Sequence, residues 1–80
     1  MYRSIYKLTL WYDKKDGSEA TIESYARVKR FGRTEATEKV WSQAMFLEPG
    51  LRAKGYRRSG YSTGNSDIDP GCIAVSCTEK

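Results

Sequence analysis

Apolar and polar residues alternate along the first part of the chain, with the period of two that is typical of a half-buried β-strand. One run ends at Tyr12, and a second run begins after a turn that contains Gly17. The apolar residues lie at even positions in both runs, namely Tyr6, Leu8, Leu10, Tyr12, Ala20, Ile22, Ala26 and Val28. We predict a hairpin in which Tyr12 lies opposite Ser18, because this register places both apolar sets on one face. It also places Lys7 opposite Glu23, a favourable cross-strand pair.

A helical pattern follows the second alternating run. Apolar residues recur at three- and four-residue steps, which is the spacing of one helix face, at Ala36, Val40, Ala44 and Leu47, with Trp41 and Met45 beside them. Thr34 is the predicted N-cap, because its hydroxyl can accept a backbone N–H of the first turn. The helix is predicted to end near Leu47 or Glu48, because Pro49-Gly50 follows.

The last third of the chain is less regular. Gly55 and Gly60 weaken a strand over 56–63, so that segment stays open, whereas Cys72–Cys77 is predicted to be a strand. The order β-β-α-(β)-β predicts an α+β fold: a small antiparallel sheet of three to four strands with one helix packed on one face. Residues 1–80 are predicted to form a single compact domain. The predicted core comprises Leu8, Leu10, Ile22, Val28, Val40, Ala44, Leu47, Ile73 and Val75, with Trp41 half inside it.

The positive charge of the chain is concentrated in its middle. The net charge is +4, yet the window from Arg27 to Arg58 carries nine Lys and Arg against three Glu, a local net charge of +6. Such an uneven distribution attracts anionic partners and says little about the fold. Charge therefore predicts a small basic binding protein.

The residues that catalysis and metal binding usually require are scarce. The chain has no histidine, and its carboxylates are scattered over turns, the outer strand face and the helix start. Cys72 and Cys77, five residues apart in a predicted strand, fall on opposite faces and are too far apart for a disulfide. Two cysteines placed in this way cannot form a tetrahedral zinc site alone. We therefore predict a non-enzymatic protein with free structural cysteines, no catalytic residue, no metal and no cofactor. No membrane span or signal peptide is recognisable, which predicts a cytoplasmic protein.

Two surfaces are candidates for binding. The odd positions of the hairpin form an outer face, where Trp11 and Tyr25 lie beside basic residues; the alternative is that segment 52–70 or a dimer mate covers this face. Interleaved arginine and tyrosine in 52–58 can bind phosphates and bases, and the alternative there is a solvated edge strand protected by charge. The predicted binding residues are Trp11, Tyr25, Arg27, Lys29, Arg30, Arg33, Arg52, Lys54, Tyr56, Arg57 and Arg58. They form one site only if the segment after Gly50 returns beside the second strand.

In size, in its single-domain layout and in the absence of a catalytic or metal motif, the whole chain resembles the small phage-encoded anti-CRISPR proteins. That resemblance implies an inhibitor that binds a large protein or ribonucleoprotein complex, such as a CRISPR effector complex, and blocks its nucleic-acid binding. It also implies action in the cytoplasm of a host cell. The basic charge favours contact with an acidic protein surface, or with nucleic acid bound in the complex, over mimicry of DNA.

The alternative function is a DNA- or RNA-binding module that uses the basic clusters 27–33 and 52–58. A second copy of the chain is a further candidate partner, and no membrane contact is expected.

Overall fold

Four antiparallel strands form one sheet, and one helix packs on one of its faces, within residues 4–28, 33–66 and 74–80, which this computed structural model describes. In chain order the elements are β1 (Ser4–Asp13), β2 (Glu19–Val28), α1 (Arg33–Ala53), β3 (Arg57–Ser66) and β4 (Val75–Glu79). The strand order across the sheet is β3-β1-β2-β4. The predicted α+β fold is confirmed, and the segment left open in the sequence is a full ten-residue strand.

The β1–β2 hairpin closes more tightly than predicted. The Lys14 amide donates to the Ser18 carbonyl (3.0 Å) and the Gly17 amide donates to the Lys14 carbonyl (3.1 Å), so only residues 15–17 lie inside the turn. Gly17 has φ +90°, the left-handed conformation that glycine adopts without steric cost. The predicted register is therefore wrong by two residues, and Tyr12 pairs with Ala20 rather than with Ser18. A shift of two leaves every side chain on its predicted face.

The even positions of the hairpin form the core together with α1. Leu8, Leu10, Ile22, Val40 and Ala44 are fully buried, as predicted. The buried apolar set further includes Tyr6, Tyr12, Ala20, Ala26, Ala36, Leu51 and Tyr56. The predicted core residues Val28, Leu47 and Val75 are only partly buried at its margin, as is Trp41, and Ile73 lies outside the described residues.

Helix α1 is longer than predicted at both ends. It begins at Arg33, so Thr34 lies in the first turn and is not the N-cap, and it continues through Pro49 to Ala53. Pro49 is exposed, so water can bind the Met45 carbonyl that lacks a helical donor. Beyond it, Leu51 is buried against the sheet and stabilises the last turn.

The C-terminus of α1 leads directly into β3. Gly55, with φ +98°, donates its amide to the Arg52 carbonyl, and Tyr56 donates its amide to the Leu51 carbonyl, each at 3.0 Å. These two bonds form a Schellman motif, and the buried pair Leu51 and Tyr56 supplies its apolar contact. The motif reverses the chain so that β3 returns along β1.

Strand β3 pairs with β1 along its whole length, with one irregularity. Trp11 pairs with Gly60 and Tyr12 pairs with Arg58, so Ser59 is the extra residue of a β-bulge. The Ser59 hydroxyl donates to the Trp11 carbonyl at 3.2 Å. The bulge changes which face the strand residues occupy, and Arg58 points toward α1 while Gly60 lies on the opposite face.

Candidate binding surface

The predicted binding residues do not form one site. The segment after Gly50 returns beside β1, not beside β2, so the assumed juxtaposition is wrong. Arg27 pairs with Ile5 at one end of β1, whereas Arg57 pairs with Asp13 at the other end. Eight residues of extended strand separate these ends by about 27 Å.

Part of the first basic group lies beyond what the structure describes. Lys29 and Arg30 lie outside the described residues, and Arg33 is described only as the first helical residue of α1. Arg27 is exposed at the end of β2. Their predicted roles in binding stay predictions.

Most of the second basic group, which comprises Arg52, Lys54, Arg57 and Arg58, forms ion pairs within the fold. Arg52 and Arg58 both bind the carboxylate of Glu48, and the Lys54 ammonium lies 2.9 Å from Glu79 Oε2. Tyr56 is 4% exposed in the core, so its ring is not available for the predicted contact with a partner. The predicted binding role of Tyr56 is therefore wrong, whereas the roles predicted for the ion-paired Arg52, Lys54 and Arg58 stay predictions. Arg57 is exposed on the face away from α1, and its role also stays a prediction.

A buried carboxylate explains this arrangement. Glu48 lies in α1 with only 4% of its surface exposed, and accepts a hydrogen bond from the Tyr12 hydroxyl at 2.7 Å. Arg52 Nε lies 2.7 Å from Glu48 Oε1, and Arg58 Nη2 lies 3.0 Å from both carboxylate oxygens. The guanidinium of Arg58 also lies 5.7 Å from the Trp41 ring centre. The cluster thus ties α1 to β1 and to β3.

The charges in this cluster shift one another's titration. Burial alone would raise the pKa of Glu48, but hydrogen bonds from Tyr12, Arg58 and Arg52 outweigh it and lower that pKa. Burial, followed by the Glu48 contact, raises the pKa of the Tyr12 hydroxyl. Because every charged partner is satisfied internally, we assign the cluster to stability. Sequence reasoning missed it, although the i,i+4 spacing of Glu48 and Arg52 is a usable signal.

The face of the sheet away from α1 is open among the described residues, and we call it the open face. Its residues on β1 and β2 are Ile5, Lys7, Thr9, Trp11, Asp13, Glu19, Thr21, Glu23, Tyr25 and Arg27. Strands β3 and β4 add Arg57, Gly60, Ser62, Gly64, Ser66, Ser76 and Thr78. The described part of segment 52–70 continues the helix and the sheet instead of covering this face.

A polar cluster occupies the middle of the open face. Lys7 Nζ lies 2.8 Å from Glu23 Oε2, the Tyr25 hydroxyl donates to the same oxygen at 3.0 Å, and the ammonium lies 5.5 Å from the Tyr25 ring centre. The hydrogen bond with Glu23 raises the pKa of Lys7, and the same bond lowers the pKa of Glu23. Lys7 and Glu23 pair diagonally, because the register differs by two from the predicted one.

An exposed aromatic ring lies on β1, near the end of the open face that is closer to the hairpin turn. Trp11 is 42% exposed, and its Cε3 atom would lie 3.8 Å from a Cβ atom added at Gly60. The ring therefore lies beside the bare backbone of β3, and the bulge at Ser59 is what brings Gly60 to this face.

Charge on the described part of the open face is balanced. Among the described residues, three cationic side chains, Lys7, Arg27 and Arg57, share it with three anionic ones, Asp13, Glu19 and Glu23. Most of the remaining positions carry hydroxyl groups or no side chain. The open face is thus a neutral polar surface that presents an indole and a phenol ring.

Comparison with protein-family models, curated proteins and solved structures finds no match to this chain. Among the described residues, α1 is not apolar enough over its length to cross a membrane.

Proposed function

We propose that the protein is a non-enzymatic binding protein that docks its open face on the surface of a large protein or ribonucleoprotein complex and blocks the nucleic-acid binding of that complex. The observation that carries this proposal is the exposure of Trp11 on a sheet face whose described charges balance, with the half-buried Tyr25 ring on the same face. Aromatic residues contribute most of the binding energy at many protein interfaces, and exposed apolar surface commonly marks such an interface.

Balanced charge favours a protein partner over free nucleic acid. Binding to a phosphate backbone depends on several unpaired cations in one region, because each neutralised phosphate releases counterions. The described residues of the open face include as many anions as cations, and Arg52, Lys54 and Arg58 are paired with carboxylates. A protein surface with its own mixed charges complements this face better.

The size and layout, which resemble those of small anti-CRISPR proteins, make a CRISPR effector complex the first partner to test. The proposal includes action in the cytoplasm, and the free thiol of Cys77 fits a reducing compartment.

The test is inhibition of purified, guide-loaded CRISPR effector complexes of several types, with target-DNA binding measured by mobility shift. We expect the wild-type protein to block DNA binding by one of them. Trp11→Ala and Tyr25→Ala should each raise the half-inhibitory concentration about tenfold or more, the loss expected for a central interface aromatic.

Phe46→Ala is the matched control, because Phe46 is 84% exposed on the solvent side of α1, opposite the open face. It should leave inhibition unchanged. An equal loss from Phe46→Ala would rule out the open face as the site, and inhibition of none of the complexes would rule out the anti-CRISPR function. Tight binding of isolated DNA or RNA with a steep salt dependence would instead support the alternative of a nucleic-acid-binding module.

A further inference from the structure

Strand β3 has a free edge, and most of its residues are exposed on both faces. It pairs with β1 on one side and is last in the sheet order, and eight of its ten residues are exposed; Gly60 and Ser66 are half-buried. Helix α1 packs mainly over β2 and β1. No strand among the described residues therefore pairs with the outer edge of β3, toward which alternate residues direct their backbone N–H and C=O groups.

The composition of β3 is unusual for an exposed edge. Edge strands commonly avoid association by carrying charged side chains, proline or very short length. Here residues 59–66 read Ser-Gly-Tyr-Ser-Thr-Gly-Asn-Ser, without a charge or a proline. The two arginines of β3 both precede this stretch, and one of them, Arg58, is bound to Glu48. The strand can therefore pair with a copy of itself without placing like charges opposite each other.

We infer that β3 is the interface of a homodimer, in which it pairs antiparallel with the same strand of a second copy and Ser62 lies opposite the partner's Ser62. A two-fold axis perpendicular to the sheet produces this arrangement, and the contact is self-complementary, as a closed dimer requires. The two sheets then join into one sheet of eight strands, with both helices on the same side. The inference concerns the edge of β3 and does not depend on the function of the open face.

This register suits the open-face side of β3. It places Gly60 opposite the partner's Gly64, so two residues without side chains meet. Trp11, which already lies beside Gly60, can then extend its exposed ring over the partner's backbone. An aromatic ring that covers a strand glycine restores the packing that the glycine lacks.

The same register suits the helix side of β3. Tyr61 lies opposite the partner's Thr63, an aromatic and β-branched pair that is favourable between antiparallel strands. Tyr61 is 61% exposed in the single chain and contacts Trp41 edge-on, with ring centres 5.4 Å apart. Pairing thus covers part of the exposed aromatic surface on both faces with one geometry.

The test is a charge swap at the two-fold axis, read by sedimentation over a wide range of protein concentrations. We expect the wild-type protein to dimerise. Ser62→Lys and Ser62→Asp should each be monomeric, because like charges meet directly at the axis, and an equimolar mixture of the two should form dimers again. Thr78→Lys is the matched control, because Thr78 is an exposed hydroxyl residue of the other edge strand, β4, and this variant should dimerise as the wild type does.

A second measurement tests the register. In a chain with Cys72→Ser and Cys77→Ser, the variant Ser62→Cys should crosslink to its partner on oxidation, because opposite Cα atoms lie about 5 Å apart, within disulfide range. A wild type that stays monomeric at every concentration, or dimers that both charge variants retain, would overturn the β3 interface. Failure of the mixture to dimerise, or of the cysteine variant to crosslink, would overturn the register centred on Ser62.

Discussion

Strands β1 and β3 are neighbours of equal length that pair with each other from end to end, yet their environments differ. Every second residue of β1 from Tyr6 to Tyr12 is buried beneath α1, and Leu8 and Leu10 have no exposed surface. No residue of β3 is fully buried, and its Tyr61 is largely exposed. Strand pairing alone therefore does not create a core in this protein; the position of the helix does.

The difference also separates stability from recognition. Side chains beneath α1 contribute the apolar burial that holds a small domain together. Strand β3 adds hydrogen bonds to β1 and the contacts of Arg58 and Tyr61 with α1, but leaves most of its surface available to a partner. Substitutions should therefore have very different effects in the two strands.

The largest expected effect is in β1. Leu8→Ala should lower the free energy of unfolding by roughly 2–5 kcal/mol, because it leaves a cavity at a fully buried position. Thr63→Ala, at the paired position of β3, should change it by less than about 0.5 kcal/mol, since Thr63 is exposed. Urea unfolding of both variants measures the difference, and similar losses in the two would contradict the comparison.

The next effect concerns Glu48, which ties β3 to the core. Glu48→Gln should cost about 1–3 kcal/mol, because two arginines and a tyrosine lose their buried anionic partner. The pKa of the Glu48 carboxyl is lowered in the folded protein. The carboxylate therefore stabilises the fold fully at pH values above the unfolded pKa of about 4.3, and this stabilisation is lost as the pH falls through the lowered pKa of the folded state.

Unfolding measured from pH 7 downward should therefore show a steeper loss of stability at acidic pH in the wild type than in Glu48→Gln. Parallel curves would mean that Glu48 does not carry this contribution.

A smaller effect is expected where α1 passes into β3. Gly55→Ala should destabilise by about 1 kcal/mol, because alanine is strained at φ +98°. Gly50→Ala is the matched control, since Gly50 lies in the helix with open space around the added Cβ atom, and it should stabilise by up to about 1 kcal/mol. The thermal unfolding temperature should thus fall in Gly55→Ala and rise in Gly50→Ala. A shift of both variants in the same direction would contradict the turn geometry.

The smallest effect is expected on the open face of β1. Glu23→Gln removes a partly exposed ion pair with Lys7, which is worth about 0.2–1 kcal/mol and decreases with salt. Unfolding at low and high salt measures it. A loss of unfolding free energy as large as that of Leu8→Ala would show that this ion pair stabilises the fold as much as a core residue does.

The contrast between β1 and β3 also explains what could be predicted from the sequence. Alternation identified β1 and β2 and assigned every face correctly, because one side of each strand is buried. The register of the hairpin depends on the turn geometry at Gly17, and the alternation of apolar and polar residues gives no information about that turn. Strand β3 is exposed on both sides, so Gly60 and its polar neighbours carry no pattern that distinguishes a strand from a loop.

The candidate site was predictable in part, for related reasons. Alternation placed Trp11, Tyr25 and Arg27 on the outer face, where the structure has them. The ion pairs of the basic residues in 52–58 were not predicted, because a count of charges does not show which carboxylate each one contacts. Glu48 sits beside Pro49, which suggested a helix end, and only the continuation to the buried Leu51 brings its carboxylate toward Arg58.

The extra residue at Ser59 determines how this chain tolerates changes in length. Loss of Ser59 would merge the two parts of β3 into a regular ladder and keep Arg58 against Glu48, because the bulge is already the point where the strand is one residue too long. Deletion of any one residue between 61 and 65 would instead move the side chains on one side of the deletion to the opposite face of the sheet. Ser59 is thus the position where a single-residue deletion in β3 leaves both surfaces of the protein intact.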